Sequence, residues 1–250
     1  MYLQEMLVDK KGIGYIDISD GSIPLERKNF EVKEINFRTG MPYEQKKDFY
    51  FLPSSSDYLL KINKNVFRND SKNYKLVRKL VELQPKINNI DLPIGYVKYE
   101  NNVVGQIIRY YDNAESLKYI SFTRDLYNLQ KHICLDDDIL RNLFMVYLDI
   151  LEKLEVLYDN GILYLDVHGG NFVMKDNEVK IIDFDKNYVD FSMIRYNVSV
   201  LFLNYFRMIN NTNKMFGISS TIECPLNDKK FDVVRQKVKD FENQIRRNIK

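Results

Sequence analysis

The sequence predicts an α+β protein in two parts: a sheet-rich first part with one main helix, then a mostly helical second part with one hairpin. Three observations point there. Short aromatic and β-branched runs dominate up to about residue 111, long runs with helical spacing dominate beyond it, and the composition changes between them at "YDNAES". The expected domains are therefore residues 1–111 and 112–250.

In order along the chain, residues 30–37 ("FEVKEINF") alternate as a strand does, and "DFYFL" (48–52) is an aromatic strand pattern. "PSSS" (53–56) reads as a turn, and "DYLLKI" (57–62) as a buried strand with a lysine near its end. "SKNYKLVRKLVELQ" (71–84) places Tyr74, Leu76, Val77, Leu80, Val81 and Leu83 at helical spacing, and Pro85 stops it. "IGYVKY" (94–99) and "VVGQIIRYY" (103–111) flank "ENN" as the arms of a hairpin.

The stretch 136–161 predicts a long amphipathic helix. Asp136 is its expected N-cap, Asn160 and Gly161 end it, and Ile139, Leu140, Leu143, Phe144, Tyr147, Ile150, Leu151, Leu154 and Leu157 form its buried face. "FVM" and "VKII" then flank the turn "KDNE", predicting two short strands. Helical patterns follow at 193–209 and 229–249.

Composition excludes several classes. Of 250 residues, 45% are hydrophobic and 29% charged, an ordinary globular profile with enough length for a sizeable core. A net charge of +2 gives no basic footprint for nucleic acid, and the basic end of the last helical stretch reads as a solvated face. Cys134 and Cys224 lie far apart without metal-ligand spacing, so they read as thiols in a reducing compartment. The start of the chain lacks a basic-then-apolar leader, and no apolar run reaches the roughly 20 residues of a membrane span. The expected location is cytoplasmic.

The chemistry concentrates in "YLDVHGGNFVMKDNEVKIIDFD" (164–185). A hairpin turning at "KDNE" returns Asp183 beside Asn171. A carboxylate and a carboxamide side by side suit a hard cation such as Mg²⁺, which keeps waters and takes its other ligands from phosphates. A second carboxylate nearby, Asp166, can accept a proton from an attacking hydroxyl. Metal, base and room for a nucleophile are the parts of a phosphoryl-transfer site. Gly169 and Gly170 permit close backbone approach. His168 either hydrogen-bonds within the loop and holds Asp166 in place or contacts phosphate. His132 has no ligand-like neighbours, so histidine metal binding is not expected.

Asp166-x-x-x-x-Asn171 followed by Asp183-Phe184 resembles the catalytic loop and metal-binding turn of the protein-kinase-like superfamily. "LDVHGGN" is closest to the loop of aminoglycoside phosphotransferases, choline kinases and lipopolysaccharide-kinase-like proteins. The resemblance covers most of residues 30–190. It implies a bilobal kinase-like fold with an antiparallel-sheet N-lobe, one main N-lobe helix and a shortened helical C-lobe. It also implies ATP and Mg²⁺ as cofactors, Asp166 as base, and Asn171 and Asp183 as metal ligands. "YLLKI" is similar to the third small-lobe strand, whose lysine, here Lys61, would meet the nucleotide phosphates. Glu82 would either orient Lys61 or be an exposed helix residue. Backbone near Arg109 and Tyr111 would meet the adenine edge.

The chain departs from that family pattern in several places. No Gly-x-Gly-x-x-Gly precedes Lys61; "KGIGY" (11–15) lies too far upstream, and Gly40 is the nearest glycine that would cover phosphates. Asp185 stands where the metal turn carries glycine and would add a metal contact. Tyr164 and Leu165 replace the usual His or Arg before the base. Only 65 residues follow Asp185, and no Ala-Pro-Glu element is present. The expected activity is γ-phosphoryl transfer to a hydroxyl of a small molecule or atypical acceptor. The alternatives are a pseudokinase, binding nucleotide or a protein partner, and an atypical Ser/Thr protein kinase.

Overall fold

The computed structural model describes residues 5–21, 23, 26–27, 48–52, 55–62, 70–112, 114–116, 137–184, 194–215, 217–225 and 230–249. The strand expected at 30–37, Gly40, the Asp136 cap and Asp185 lie outside them. The architecture is mixed α+β, with a mostly antiparallel sheet and four α-helices among the described residues. The chain divides into two compact units, Met1–Asp112 and Asn113–Lys250.

The first unit holds strands β1 (Leu7–Val8), β2 (Gly14–Asp17), β3 (Glu26–Arg27), β4 (Asp48–Leu52), β5 (Ser55–Ile62), β6 (Gly95–Tyr99) and β7 (Asn102–Arg109). They form one sheet in the order β1-β2-β6-β7-β5-β4-β3. Two expectations need correction here. Ser55 and Ser56 extend β5 rather than turning before it, because β4 pairs with β5 as far as Leu52 and Ser55. The sheet also contains one parallel pair, β2 with β6, in which β2 is formed by residues to which the sequence pattern assigned no strand.

Helix α1 (Asp70–Leu83) covers one face of this sheet. Its Val77 packs with Ile13, Tyr96 and Val103, and Pro85 lies in the 3₁₀ turn Gln84–Lys86 that follows it. The opposite face is a second apolar layer of Ile16, Leu60, Ile62, Val97, Val104 and Ile107. Alternation along a strand assigns each residue to one layer or the other. Leu60 and Ile62 thus turn to the second layer, and Lys61 between them to the helix-covered one.

The second unit is built on helix α2 (Asp137–Asp159). Leu140, Phe144, Tyr147, Ile150, Leu151, Leu154 and Leu157 are all buried along it, each worth about 1.5–3 kcal/mol. Gly161 at φ 76° ends the helix. Its N–H donates to the Tyr158 carbonyl at 2.9 Å, and the Ile162 N–H to that of Leu157 at 2.8 Å, a Schellman closure that fixes the direction of the next segment. Helices α3 (Ile194–Met215) and α4 (Phe231–Ile249) complete the helical layer. Phe144 meets Phe241 at 6.1 Å, and Phe202 meets Phe231 at 5.0 Å.

A small antiparallel sheet joins this layer: β8 (Glu115–Ser116), β9 (Phe172–Lys175) and β10 (Glu178–Ile181), in the order β10-β9-β8. Asp176 and Asn177 turn the β9–β10 hairpin at φ 52° and 64°, the left-handed pair that a two-residue turn demands and that Asp and Asn tolerate. Asp149 of α2 accepts the Val179 N–H at 3.2 Å, which ties β10 to the helix. Among the described residues no helix is long and apolar enough to cross a membrane.

Candidate functional site

In the second unit the loop from Tyr164 to Asn171 leads from the end of α2 into β9. A buried aromatic group holds its two ends. Tyr164 meets Phe172 at 6.2 Å and Phe184 at 5.8 Å, all three being almost fully buried. The residues that follow Tyr164 and the one that precedes Phe184 are thereby fastened to the same core. Asn204 of α3 donates from Nδ2 to the Leu165 carbonyl at 2.8 Å, fixing the backbone immediately before Asp166.

Asn171 closes the 3₁₀ turn Gly169–Asn171 and is 5% exposed. Its backbone N–H donates to the His168 carbonyl at 3.0 Å, and its Nδ2 donates to the Asp166 carbonyl at 2.8 Å. With the amide nitrogen committed to that bond, the side-chain oxygen is turned the other way. The Ile182 N–H donates to the Asn171 carbonyl at 3.0 Å, extending the β9–β10 ladder by one step. Asp183, half-buried, is the next residue, so the hairpin brings it to the same end as Asn171. No protein-family profile and no curated protein matches this chain.

Asp166 has a partly exposed side chain, and His168 stands beside it. The Gly170 N–H donates to His168 Nδ1 at 3.2 Å. A neutral ring accepting at Nδ1 carries its proton on Nε2, and Nε2 lies 3.6 Å from Asp166 Oδ1. The loop's own backbone therefore sets the imidazole tautomer that faces the Asp166 carboxylate.

Oxygen donors from Asn171 and Asp183 are the kind that hold Mg²⁺, which takes one or two protein ligands and completes its shell with water and phosphate. Among the described residues no three His, Cys, Asp or Glu side chains gather as a metal cluster, and Asp185, the other expected ligand, lies outside those residues.

The first unit carries the other expected residues. Lys61 is 2% exposed, one residue from the end of β5. Glu82 does not orient it: the carboxylate sits on the solvent side of α1 and pairs with Arg78 at 2.5 Å, one turn back along the same helix. Arg109 and Tyr111 converge on Asp91, a residue the sequence patterns did not single out. The Tyr111 hydroxyl donates to Asp91 Oδ2 at 2.5 Å, and Arg109 Nη1 lies 3.7 Å from Asp91 Oδ1. Burial first, and the Asp91 carboxylate second, push the Tyr111 hydroxyl far above the usual tyrosine range. In the same segment the Tyr110 N–H donates to the Asp57 carbonyl at 2.7 Å.

Asn204 and Gln106 were also missed, and each had a signal. Asn204 is the lone polar residue in "LFLNYF", and Gln106 the lone polar residue in "VVGQII". A solitary amide inside an apolar run is worth a question, because burying it without a partner is costly.

Proposed function

We propose that this protein is a phosphotransferase that uses ATP and Mg²⁺ to move the γ-phosphoryl group to a hydroxyl of a small molecule or atypical acceptor. One observation carries the reading: the buried Asn171 amide is anchored to the Asp166 carbonyl, and the hairpin returns Asp183 to the same end. In this reading Asn171 and Asp183 hold the cation, and Asp166 accepts the proton of the attacking hydroxyl. His168 fixes the Asp166 carboxylate, and Lys61 supplies the ammonium that neutralises phosphate charge. Bound Mg²⁺ would spread the charge that builds on the transferring group. The protein's share of the work is positioning, which the fastened loop ends and the Asn171 bond supply.

The test is a thermal-shift titration with ATP, with Mg²⁺, and with both. A stabilisation that needs both, and that disappears in Asp183→Ala and Asn171→Ala, is the expected result. Equal shifts with and without Mg²⁺, or none at all, would contradict it.

A second reading, a nucleotide-binding module without turnover, is favoured by one observation. Glu82, the acid expected to orient Lys61, is engaged with Arg78. Binding that persists unchanged in Asp166→Ala without any phosphate release would select this second reading.

A further inference from the structure

β10 is the edge strand of the small sheet, beyond which no further strand pairs among the described residues. The Ile182 N–H points inward to the Asn171 carbonyl at 3.0 Å, and N–H groups alternate sides along a strand. The N–H groups of Val179 and Ile181 therefore point outward, away from β9. Asp149 of α2 meets the first of these, its Oδ2 accepting the Val179 N–H at 3.2 Å. Val179 is almost fully buried, where an N–H without an acceptor is costly.

The other oxygen of Asp149 is committed as well. Oδ1 pairs with Lys153 Nζ one turn further along α2, and the Lys153 side chain is only 8% exposed. Stability alone does not explain an ion pair set this deeply, since two well-packed apolar side chains in its place are often as stable or more so. What an apolar pair cannot do is accept an N–H at one fixed position along a strand edge. The ammonium fixes the carboxylate, and the carboxylate fixes β10 lengthwise against α2. Asp183 stands four residues beyond Val179, roughly 13 Å along an extended chain. On either side of it, Ile182 is fastened to the Asn171 carbonyl and Phe184 packs on Tyr164 at 5.8 Å.

We propose that Asp149 is a positioning residue for the cation site, its grip on Val179 setting where β10 delivers the Asp183 carboxylate. The role in cation binding rests on the proposed phosphotransferase reading; the grip itself does not. Lys153 serves the same end by holding the Asp149 carboxylate in the orientation that meets the strand.

The experiment compares two double variants of the full chain that differ in whether an acceptor remains. Asp149→Asn with Lys153→Met keeps a carbonyl oxygen for Val179, whereas Asp149→Leu with Lys153→Met removes it. Both are expected to melt near the wild-type temperature, because neither leaves a buried charge unpaired. Asp149→Ala with Lys153→Met serves the same purpose if the leucine variant does not fold. The grip is read from hydrogen exchange at the Val179 amide, expected about 100-fold faster in the leucine variant and little changed in the asparagine one. The cation role is read from the Mg²⁺ concentration giving half of the ATP-dependent thermal shift, expected to rise about tenfold in the leucine variant alone. Slow Val179 exchange in the folded leucine variant overturns the grip. Fast exchange with an unmoved Mg²⁺ midpoint overturns the positioning role and leaves the phosphotransferase reading standing. A midpoint raised equally in both variants overturns it too, since the effect would then follow the ion pair and not the acceptor. No Mg²⁺-dependent shift in the wild type defeats that reading and the cation role with it, while Val179 exchange still decides the grip.

Discussion

The side-chain amide of Asn171 donates to the backbone carbonyl of Asp166 at 2.8 Å, across five residues of loop. That bond makes one unit of the two positions on which the proposed chemistry depends. It fixes the direction of the Asn171 oxygen and the course of the chain at Asp166 together. Removing it with Asn171→Ala leaves a half-buried carbonyl without its donor, a cost of about 1–3 kcal/mol in unfolding free energy. Asn171→Asp keeps an oxygen ligand but places a carboxylate against that carbonyl. Chemical denaturation is expected to show both variants destabilised, and phosphoryl transfer to fall in both.

Asn204 supports the same loop from α3 through the Leu165 carbonyl. Asn204→Leu keeps the volume and removes the donor. The expected outcome is a loss of about 1–2 kcal/mol in stability with a larger proportional loss in turnover than in ATP affinity, because the change lies beside Asp166. Comparing kcat with nucleotide Kd checks this. A loss confined to affinity would place the role of Asn204 elsewhere.

Gly105 is fixed by the approach of β7 to β5 at Lys61, where a side chain would run into backbone that cannot move aside. Gly105→Ala is expected to cost about 2 kcal/mol or more and to shift the Lys61–Gln106 register. A melting temperature equal to that of the wild type would show that the two strands have more room than their geometry indicates.

Asp9 gives the first unit a pH dependence. Its carboxylate accepts from the Tyr74 hydroxyl at 2.7 Å, the Tyr96 hydroxyl at 3.2 Å, and the N–H groups of Lys11 and Ile13 at 2.8 and 3.0 Å. Burial works to raise its pKa, but these donors outweigh it and hold the carboxyl below the usual range. The associated stability is present above the ordinary aspartate pKa, near 4, and is lost as pH falls through the lower folded value. Tyr74 acts at the other end. Burial and the Asp9 carboxylate push it up to about 12, so its contribution is present below about pH 10 and is lost as pH rises towards 12. Melting curves across pH are expected to show both edges, with Asp9→Asn flattening the acid one and Tyr74→Phe the alkaline one.

Much of this was legible in the sequence, and the exceptions have physical causes. The long face of α2 announces itself because eight buried residues repeat at helical spacing, and the Gly161 stop is chemical as well as periodic. The β9–β10 hairpin is legible because Asp176 and Asn177 suit positive φ, and that hairpin brings Asp183 back towards Asn171. β2 was not legible: four residues are too few to show a period, and its parallel pairing with β6 joins distant parts of the chain. The Asp91 grip on Arg109 and Tyr111, the Asn204 support and the Lys61–Gln106 register are tertiary relationships, which no local pattern encodes. Glu82 shows the reverse case. Its spacing permits an inward or an outward turn, and Arg78 four residues earlier draws it outward.

The most direct test of the central claim is γ-phosphate release from ATP with Mg²⁺, measured in parallel for the wild type and Asp166→Asn. The account predicts turnover in the wild type, a loss of about 100-fold or more in the variant, and an ATP·Mg²⁺ thermal shift preserved in both. Equal turnover in the two proteins would remove Asp166 from the chemistry and contradict the account.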